Sequence, residues 1–232
     1  MSQPAFHEAE RADQRLAELG LSWADIAFSL MGADAEARTY TRLDPPHTPG
    51  IGRWGRTNRL LRERLIPQGW SFDNPSNLPR TINPEHTFAI VATTGDQYTG
   101  LRVAGLQPTT KYAEGPATAS AVASNEQWVQ DGLFPQELPG EEIGQALAQT
   151  SRSGGEPHTV WLLLYHVSPG EIRSELSFPA SISAKGYIDA WAERIILPPI
   201  RGEEVGLGTG GAEDNDGDDG HEDEIEVPVE RR

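Results

Sequence analysis

The chain contains no cysteine among its 232 residues. Disulfide bridges, a thiolate nucleophile and cysteine-ligated zinc are therefore excluded. Long apolar runs are also missing, since the longest one covers residues 160–165 and a membrane-spanning helix needs about twenty residues. The first residues lack the basic segment and apolar core of a secretory signal. We therefore expect a soluble, cytoplasmic protein with no membrane partner.

Negative charge is concentrated at one end of the chain. The formal net charge is −16, and residues 203–232 hold twelve acidic residues against Arg231 and Arg232. This segment also has too few apolar residues to offset the entropy lost on ordering. The composition predicts a disordered acidic tail over residues 203–232. Such a tail can reach back to basic surfaces of the folded part and modulate their contacts.

Positive charge is concentrated in residues 53–65, where five of thirteen residues are arginine. At 100° per residue, Trp54, Leu61 and Leu65 fall within about 40° of one another, which predicts a helix with a narrow apolar stripe. A guanidinium group offers a planar fork of donors that fits phosphate oxygens. The hypothesis is an anion-binding helix that uses Arg53, Arg56, Arg59, Arg62 and Arg64. The alternative is a solvated helix face whose arginines pair with nearby acids such as Glu63.

The order of the remaining patterns predicts an α+β fold, with N-terminal helices packed on a mostly antiparallel sheet. Helical spacing covers residues 5–19, and a capping box at Ser22 and Asp25 begins a second helix. Strand patterns cover residues 70–73, 80–82, 87–93, 160–167 and 172–178, and the 87–93 strand is apolar on both faces and so central. Further helices are predicted over residues 118–130, 141–149 and 186–196, with Trp191 buried in the last. The predicted division is one α+β domain over residues 1–202, helical in 1–68 and sheet in 69–202, followed by the tail.

Candidate catalytic groups lie around the loop after the central strand. Gly95 and Gly100 let backbone amides converge there, although the spacing is neither a Walker A loop nor a dinucleotide-binding fingerprint. Asp96 can hold a metal or serve as a base, and Lys111, one of only two lysines, can serve as a general acid or phosphate ligand. His166 is the third candidate. The alternative for the loop is a plain turn, and since no metal-ligand motif is complete, we expect no metal and no cofactor.

Two segments resemble parts of an uncharacterised protein family from GC-rich bacteria. They are Ile82-Asn-Pro-Glu-His-Thr-Phe-Ala-Ile-Val-Ala-Thr-Thr-Gly-Asp96 and Ala190-Trp-Ala-Glu-Arg-Ile-Ile-Leu-Pro-Pro-Ile200. The resemblance covers roughly residues 20–200. It implies no activity and no site residues.

Two functional hypotheses follow from these patterns. The leading one is a bacterial interaction or regulatory protein whose arginine helix contacts an anionic partner, nucleic acid or an acidic protein, with the tail as modulator. The alternative is an enzyme acting on a phosphate-bearing substrate through the loop after the central strand. Convergence of Asp96, Lys111 and His166 within one cleft favours the enzyme, whereas their dispersal argues against it.

Overall fold

The computed structural model describes residues 5–7, 9–130 and 159–202. The predicted tail over residues 203–232 and the predicted helix over residues 141–149 lie outside the described residues. Within them the chain has the predicted α+β fold, with three N-terminal helices on a mostly antiparallel sheet. No helix in the described part is long and apolar enough to cross a bilayer.

The described part of the chain forms four α-helices: α1 (Ala9–Glu18), α2 (Trp23–Ala37), α3 (Thr48–Leu65) and α4 (Pro116–Gln130). The predicted start of α2 is confirmed, with Ser22 as its N-cap, because the Ser22 hydroxyl accepts a hydrogen bond from the Asp25 amide at 3.1 Å. The Ser22 hydroxyl also donates to the Asp25 carboxylate at 2.7 Å. Helix α3 contains the arginine segment and begins earlier than the pattern predicted. A proline in its first turn suits this start, since the missing N–H would have no partner inside the helix.

The described residues form eight strands: β1 (Ala5–His7), β2 (Ser71–Asp73), β3 (Arg80–Ile82), β4 (Phe88–Thr94), β5 (Thr159–Ser168), β6 (Glu171–Ile182), β7 (Ile188–Ile196) and β8 (Ile200–Arg201). They lie in one sheet in the order β1-β7-β6-β5-β4-β3-β2, with β8 paired to β6. Among these described strands, β1–β7 and β4–β5 are parallel pairs and the other pairs are antiparallel. The predicted central strand is β4, which lies between β3 and β5.

Two predicted helices are corrected by the structure. The helix predicted over residues 186–196 is wrong, because this segment is strand β7, paired with β6, although Trp191 is buried as expected. The helix predicted over residues 5–19 begins only at Ala9, since residues 5–7 form β1 along β7. In both places the deciding partner is a distant strand, and a local pattern cannot reveal such a partner.

Each face of the sheet is covered by helices. Alternate residues of β5, such as Trp161, Leu163 and Tyr165, pack in the core shared with α1, α2 and α3. The intervening residues Leu162 and Leu164 belong to a second core, which includes residues from α4. We call the side of the sheet that carries the first core the three-helix face and the side that carries the second core the α4 face. Because side chains alternate along a strand, this assignment places His166 on the α4 face.

Asn125 of α4 joins β5 to β6 where their ladder ends. Its side-chain amide donates to the carbonyls of Val160 (2.8 Å) and Pro179 (3.1 Å), and its carbonyl accepts from the Val160 amide (2.8 Å). Pro179 has no N–H, and the β6–β7 register shifts at this residue. The fully buried Asn125 therefore supplies hydrogen bonds that the strands cannot supply to each other.

Replacing Asn125 by alanine should lower the free energy of unfolding by about 2–3 kcal/mol, because buried groups of Val160 and Pro179 would lose their partners. Urea denaturation measures this change. Ser124→Ala is the matched control, since Ser124 is exposed on the same turn of α4. Equal stabilities of the two variants would contradict the role assigned to Asn125.

Candidate functional site at the carboxyl ends of β4 and β5

The arginines of α3 meet acids and carbonyls of the same chain. Arg53 pairs with Asp34 of α2 at 3.1 Å, and Arg38 pairs with the other oxygen of that carboxylate at 2.7 Å. Asp34 is only 1% exposed, so both cations compensate a buried charge. The Arg53 contact holds α3 against α2, whereas Arg38 follows the last turn of α2 itself.

Arg64 makes the corresponding contact at the other end of α2. Its Nε donates to Asp25 at 2.7 Å, and its guanidinium lies 5.2 Å from the Phe28 ring centroid. Burial raises the pKa of Asp25, but hydrogen bonds from Ser22, Arg64 and Gln68 outweigh this effect and leave the pKa below its ordinary value. Asp25 therefore stays ionised as the partner of Arg64 at neutral pH.

The other three arginines are also engaged. Arg56 pairs with Glu36 at 3.0 Å, and Arg59 pairs with Glu63 one helical turn away at 2.7 Å. Arg62 donates to the carbonyls of residues 73 and 80 and to Asn74, and its guanidinium lies 4.6 Å from the Phe72 ring centroid. All five arginines thus have partners within the described chain. Arg59, whose side chain is 65% exposed, is the most accessible of them.

A different group of charged residues surrounds the carboxyl ends of β4 and β5. These strands run parallel with Thr94 opposite Tyr165, so both end at the same edge of the sheet. Strand β3 stops short of this edge, and residues 109–111 lie along the end of β4 instead. The Asp96 amide donates to the Thr109 carbonyl at 2.9 Å, and the Lys111 amide donates to the Thr94 carbonyl at 2.8 Å. Asp96 and Lys111 are thereby held beside the end of β4.

His166 lies next to this group, one residue beyond the end of the β4–β5 ladder. The residue opposite His166 on the neighbouring strand β6 is Arg173. Burial lowers the pKa of His166, and the charges of Arg173 and Lys111 lower it further, while a hydrogen bond to the Gly95 backbone and the charge of Asp96 act in the opposite direction. The imidazole is therefore neutral at pH 7, and it is close enough to sense all three charged side chains.

The loop over residues 95–101 continues from β4 across β5 and β6. The Gly95 amide donates to the Tyr165 carbonyl at 2.9 Å, and the Arg173 side chain donates to the Gln97 carbonyl at 3.0 Å. Asp96 accepts from the Tyr98 amide at 3.0 Å, so one of its carboxylate oxygens shapes the turn. This hydrogen bond agrees with the alternative that the loop is a plain turn. It uses only one of the two carboxylate oxygens of Asp96.

The structure therefore brings the three sequence candidates, Asp96, Lys111 and His166, to one edge of the sheet. Arg173 was not among them. A signal for it exists in the sequence, because a two-residue turn at Pro169-Gly170 sets a hairpin register that pairs His166 with Arg173. Among the described residues, no three potential ligands are grouped as a metal site requires.

A cavity of about 320 Å³ lies elsewhere, between the turn at Pro75 and helix α4. Its lining is mostly small or apolar and includes Leu78, Ala121 and Val160, with Arg80 as the charged residue. None of the candidate site residues lines it. The cavity therefore adds nothing to the chemistry at the ends of β4 and β5.

Comparisons with protein families, with curated protein sequences and with solved structures find no match to this chain.

Arginine contacts to buried acids and to exposed acids on α3 should contribute differently to the free energy of unfolding. Arg53→Gln should lower the free energy of unfolding by about 1–3 kcal/mol, because Asp34 is buried and would lose one of its two cations. Arg59→Gln, the matched control on the same helix, should leave stability unchanged, because exposed pairs contribute little. Urea denaturation compares the variants. A larger loss for Arg59→Gln than for Arg53→Gln would contradict this assignment.

Proposed function

We propose that this protein binds and acts on a phosphate-bearing small molecule at the carboxyl ends of β4 and β5. One observation carries the proposal: Asp96 and Lys111 are held beside the end of β4, and His166 lies opposite Arg173 one residue beyond the β4–β5 ladder. Ligands of open α/β sheets commonly bind outside the carboxyl ends of parallel strands. The β4–β5 pair provides such an edge in a sheet that is otherwise mostly antiparallel.

Each side chain suits a distinct part of this task. Lys111 is exposed and carries a compact ammonium that attracts phosphate as a point charge. Arg173 is half-buried and is fixed by the Gln97 carbonyl and by Glu171, whose carboxylate lies 3.5 Å from its Nε, so it places a guanidinium group at a defined position. His166, neutral at pH 7, can accept a proton from a nucleophile, and a bound phosphate dianion would favour its protonated form.

A titration of His166 by NMR tests this proposal. In the free protein its pKa should lie below the ordinary value of about 6.5. Addition of inorganic phosphate or a simple phosphomonoester should raise that pKa, because an anion beside the ring stabilises the imidazolium. Lys111→Met should weaken phosphate affinity about tenfold, equivalent to about 1.4 kcal/mol of lost charge interaction.

Lys185→Met is the matched control. Lys185 is the other lysine of the chain, and it is exposed in the turn between β6 and β7. This variant should bind phosphate as tightly as the native protein. The site would be refuted if added phosphate leaves the His166 pKa unchanged. It would also be refuted if the two lysine variants lose phosphate affinity equally.

A second candidate function is the one that the sequence favours, an interaction protein whose helix α3 contacts an anionic partner. The observation in its favour is the 65% exposure of Arg59, whose pair with Glu63 is itself solvent-exposed. An exposed pair of this kind is easily exchanged for a phosphate group, because its net stability is small. Three other arginines, Arg53, Arg62 and Arg64, hold α3 in place. They would then contribute to binding mainly through the positive electrostatic potential that they add around the helix.

Fluorescence anisotropy with a labelled single-stranded oligonucleotide tests this second candidate. Binding should weaken with rising salt, as expected for contacts to phosphates, and Arg59→Gln should reduce it. Arg42→Gln removes another exposed positive charge, from the loop before α3, and serves as the control. Binding that is absent at low salt, or equally reduced in both variants, would exclude α3 as the contact surface.

A further inference from the structure

A buried ion pair lies on the α4 face beneath the 95–101 loop. The side chains of Glu175 on β6 and Arg194 on β7 are both 0% exposed. Arg194 Nε donates to one carboxylate oxygen at 3.0 Å, and Arg194 also contacts the second oxygen through Nη2. Ser177 donates to the same carboxylate at 2.8 Å. Burial of two charges is costly unless their remaining hydrogen-bonding positions are also used.

The loop uses positions on both partners. The Gly100 amide donates to Glu175 Oε2 at 3.0 Å, and Arg194 Nη2 donates to the Leu101 carbonyl at 3.0 Å. Two consecutive backbone groups are therefore bound by the two members of one ion pair. A hydrogen bond to a charged group is stronger than one between neutral groups, so this attachment is firm.

The geometry at Gly100 shows how closely the loop lies on the sheet. Gly100 has φ +72°, and a Cβ placed there would lie 3.0 Å from Arg173 Cβ and 3.1 Å from the Ser174 amide nitrogen. Glycine is thus required both for the left-handed backbone and for the close approach. Any larger residue would lift this end of the loop from β6.

The loop is attached at three successive strands along its path. It starts beside Tyr165 of β5, passes Arg173 of β6 at Gln97, and ends on Glu175 and Arg194. His166 lies between the first two attachments, on the same face of the sheet. We propose that Glu175 and Arg194 are positioning residues, which hold the 95–101 loop across β5 and β6 and thereby set how deeply His166 is buried.

The titration of His166 provides a readout with an informative sign. The charged groups near the imidazole are Asp96 on the loop, Lys111 beside β4 and Arg173 on β6, and Arg173 is itself 3.5 Å from the carboxylate of Glu171 on the same strand. Removing a carboxylate from the neighbourhood acts directly to lower a histidine pKa, because the imidazolium loses a favourable charge. Release of the loop acts in the opposite direction, because solvent then reaches the ring. An increase in the His166 pKa therefore reports loop release and not loss of charge.

The experiment compares His166 titrations in the native chain, Glu175→Gln and Gly100→Ala. Glutamine keeps the size of Glu175 but has a single oxygen acceptor, which cannot serve Arg194, Ser177 and Gly100 together. Gly100→Ala displaces the loop and leaves the buried ion pair intact, so it tests the proposal even if Glu175→Gln fails to fold. Both variants should raise the pKa of His166 toward about 6.5, and exchange of loop amide hydrogens should accelerate about tenfold.

Glu193→Gln is the matched control. Glu193 is a buried acid beside Arg194 in sequence, but it pairs with Arg15 of α1 on the three-helix face at 2.6 Å. Its loss should lower stability without moving the His166 pKa. A His166 pKa that is unchanged or lowered in both loop variants would overturn the proposal, as would an equal rise in Glu193→Gln.

The importance of this loop positioning for ligand binding rests on the proposed function. Titrations with inorganic phosphate distinguish a failure of the binding proposal from a failure of the positioning proposal. If the native chain shows no response to phosphate while Gly100→Ala raises the His166 pKa, the binding proposal fails and the positioning role stands. If the native chain binds phosphate and both loop variants bind it equally well with an unaltered His166, the positioning role fails alone.

Discussion

The parallel pairing of β4 with β5 is the constraint on which the rest of the structure depends. Seven residue pairs, from Phe88 opposite Thr159 to Thr94 opposite Tyr165, join the two hairpin regions of the sheet. Both strands are buried on both faces, which explains their nearly continuous apolar sequences. Because parallel strands end at the same edge, this pairing also brings the loop after β4 next to His166. The β5–β6 hairpin then adds Arg173 opposite His166, and the backbone bond of Lys111 to Thr94 completes the candidate site.

Charge has two structural roles in this chain. On the three-helix side, Asp25 and Asp34 are buried in α2 and are compensated by arginines of α3, so the cluster of basic residues contributes to helix packing. On the α4 face, Glu175 and Arg194 compensate each other and bind the backbone of a loop. In both cases a buried carboxylate is retained with several donors, as expected where an unpaired charge would be costly.

Much of the fold was predictable from local patterns. The capping residues Ser22 and Asp25 marked the start of α2, and the apolar run in β4 indicated a central strand. The site was partly predictable: Asp96 and Lys111 were candidates because glycine-rich loops after central strands often carry function, while Arg173 required the hairpin register. Strand β7 was misassigned because its burial follows its partner β6 and shows no clean alternation. The contact of Gly100 with Glu175 joins residues that are 75 positions apart, and no local pattern contains that information.

The sequence by itself determined the α+β class, the positions of most helices and strands, and the exclusion of cysteine chemistry. These properties follow from periodicity, capping residues and composition, which act over a few neighbouring residues. Only the tertiary structure decided what the charged residues do. An arginine has the same sequence signature whether it faces phosphate or a buried aspartate, and the difference lies in what the fold brings within about 3–4 Å of its guanidinium. For Arg53 that neighbour is Asp34, and for Arg173 it is a loop carbonyl beside His166.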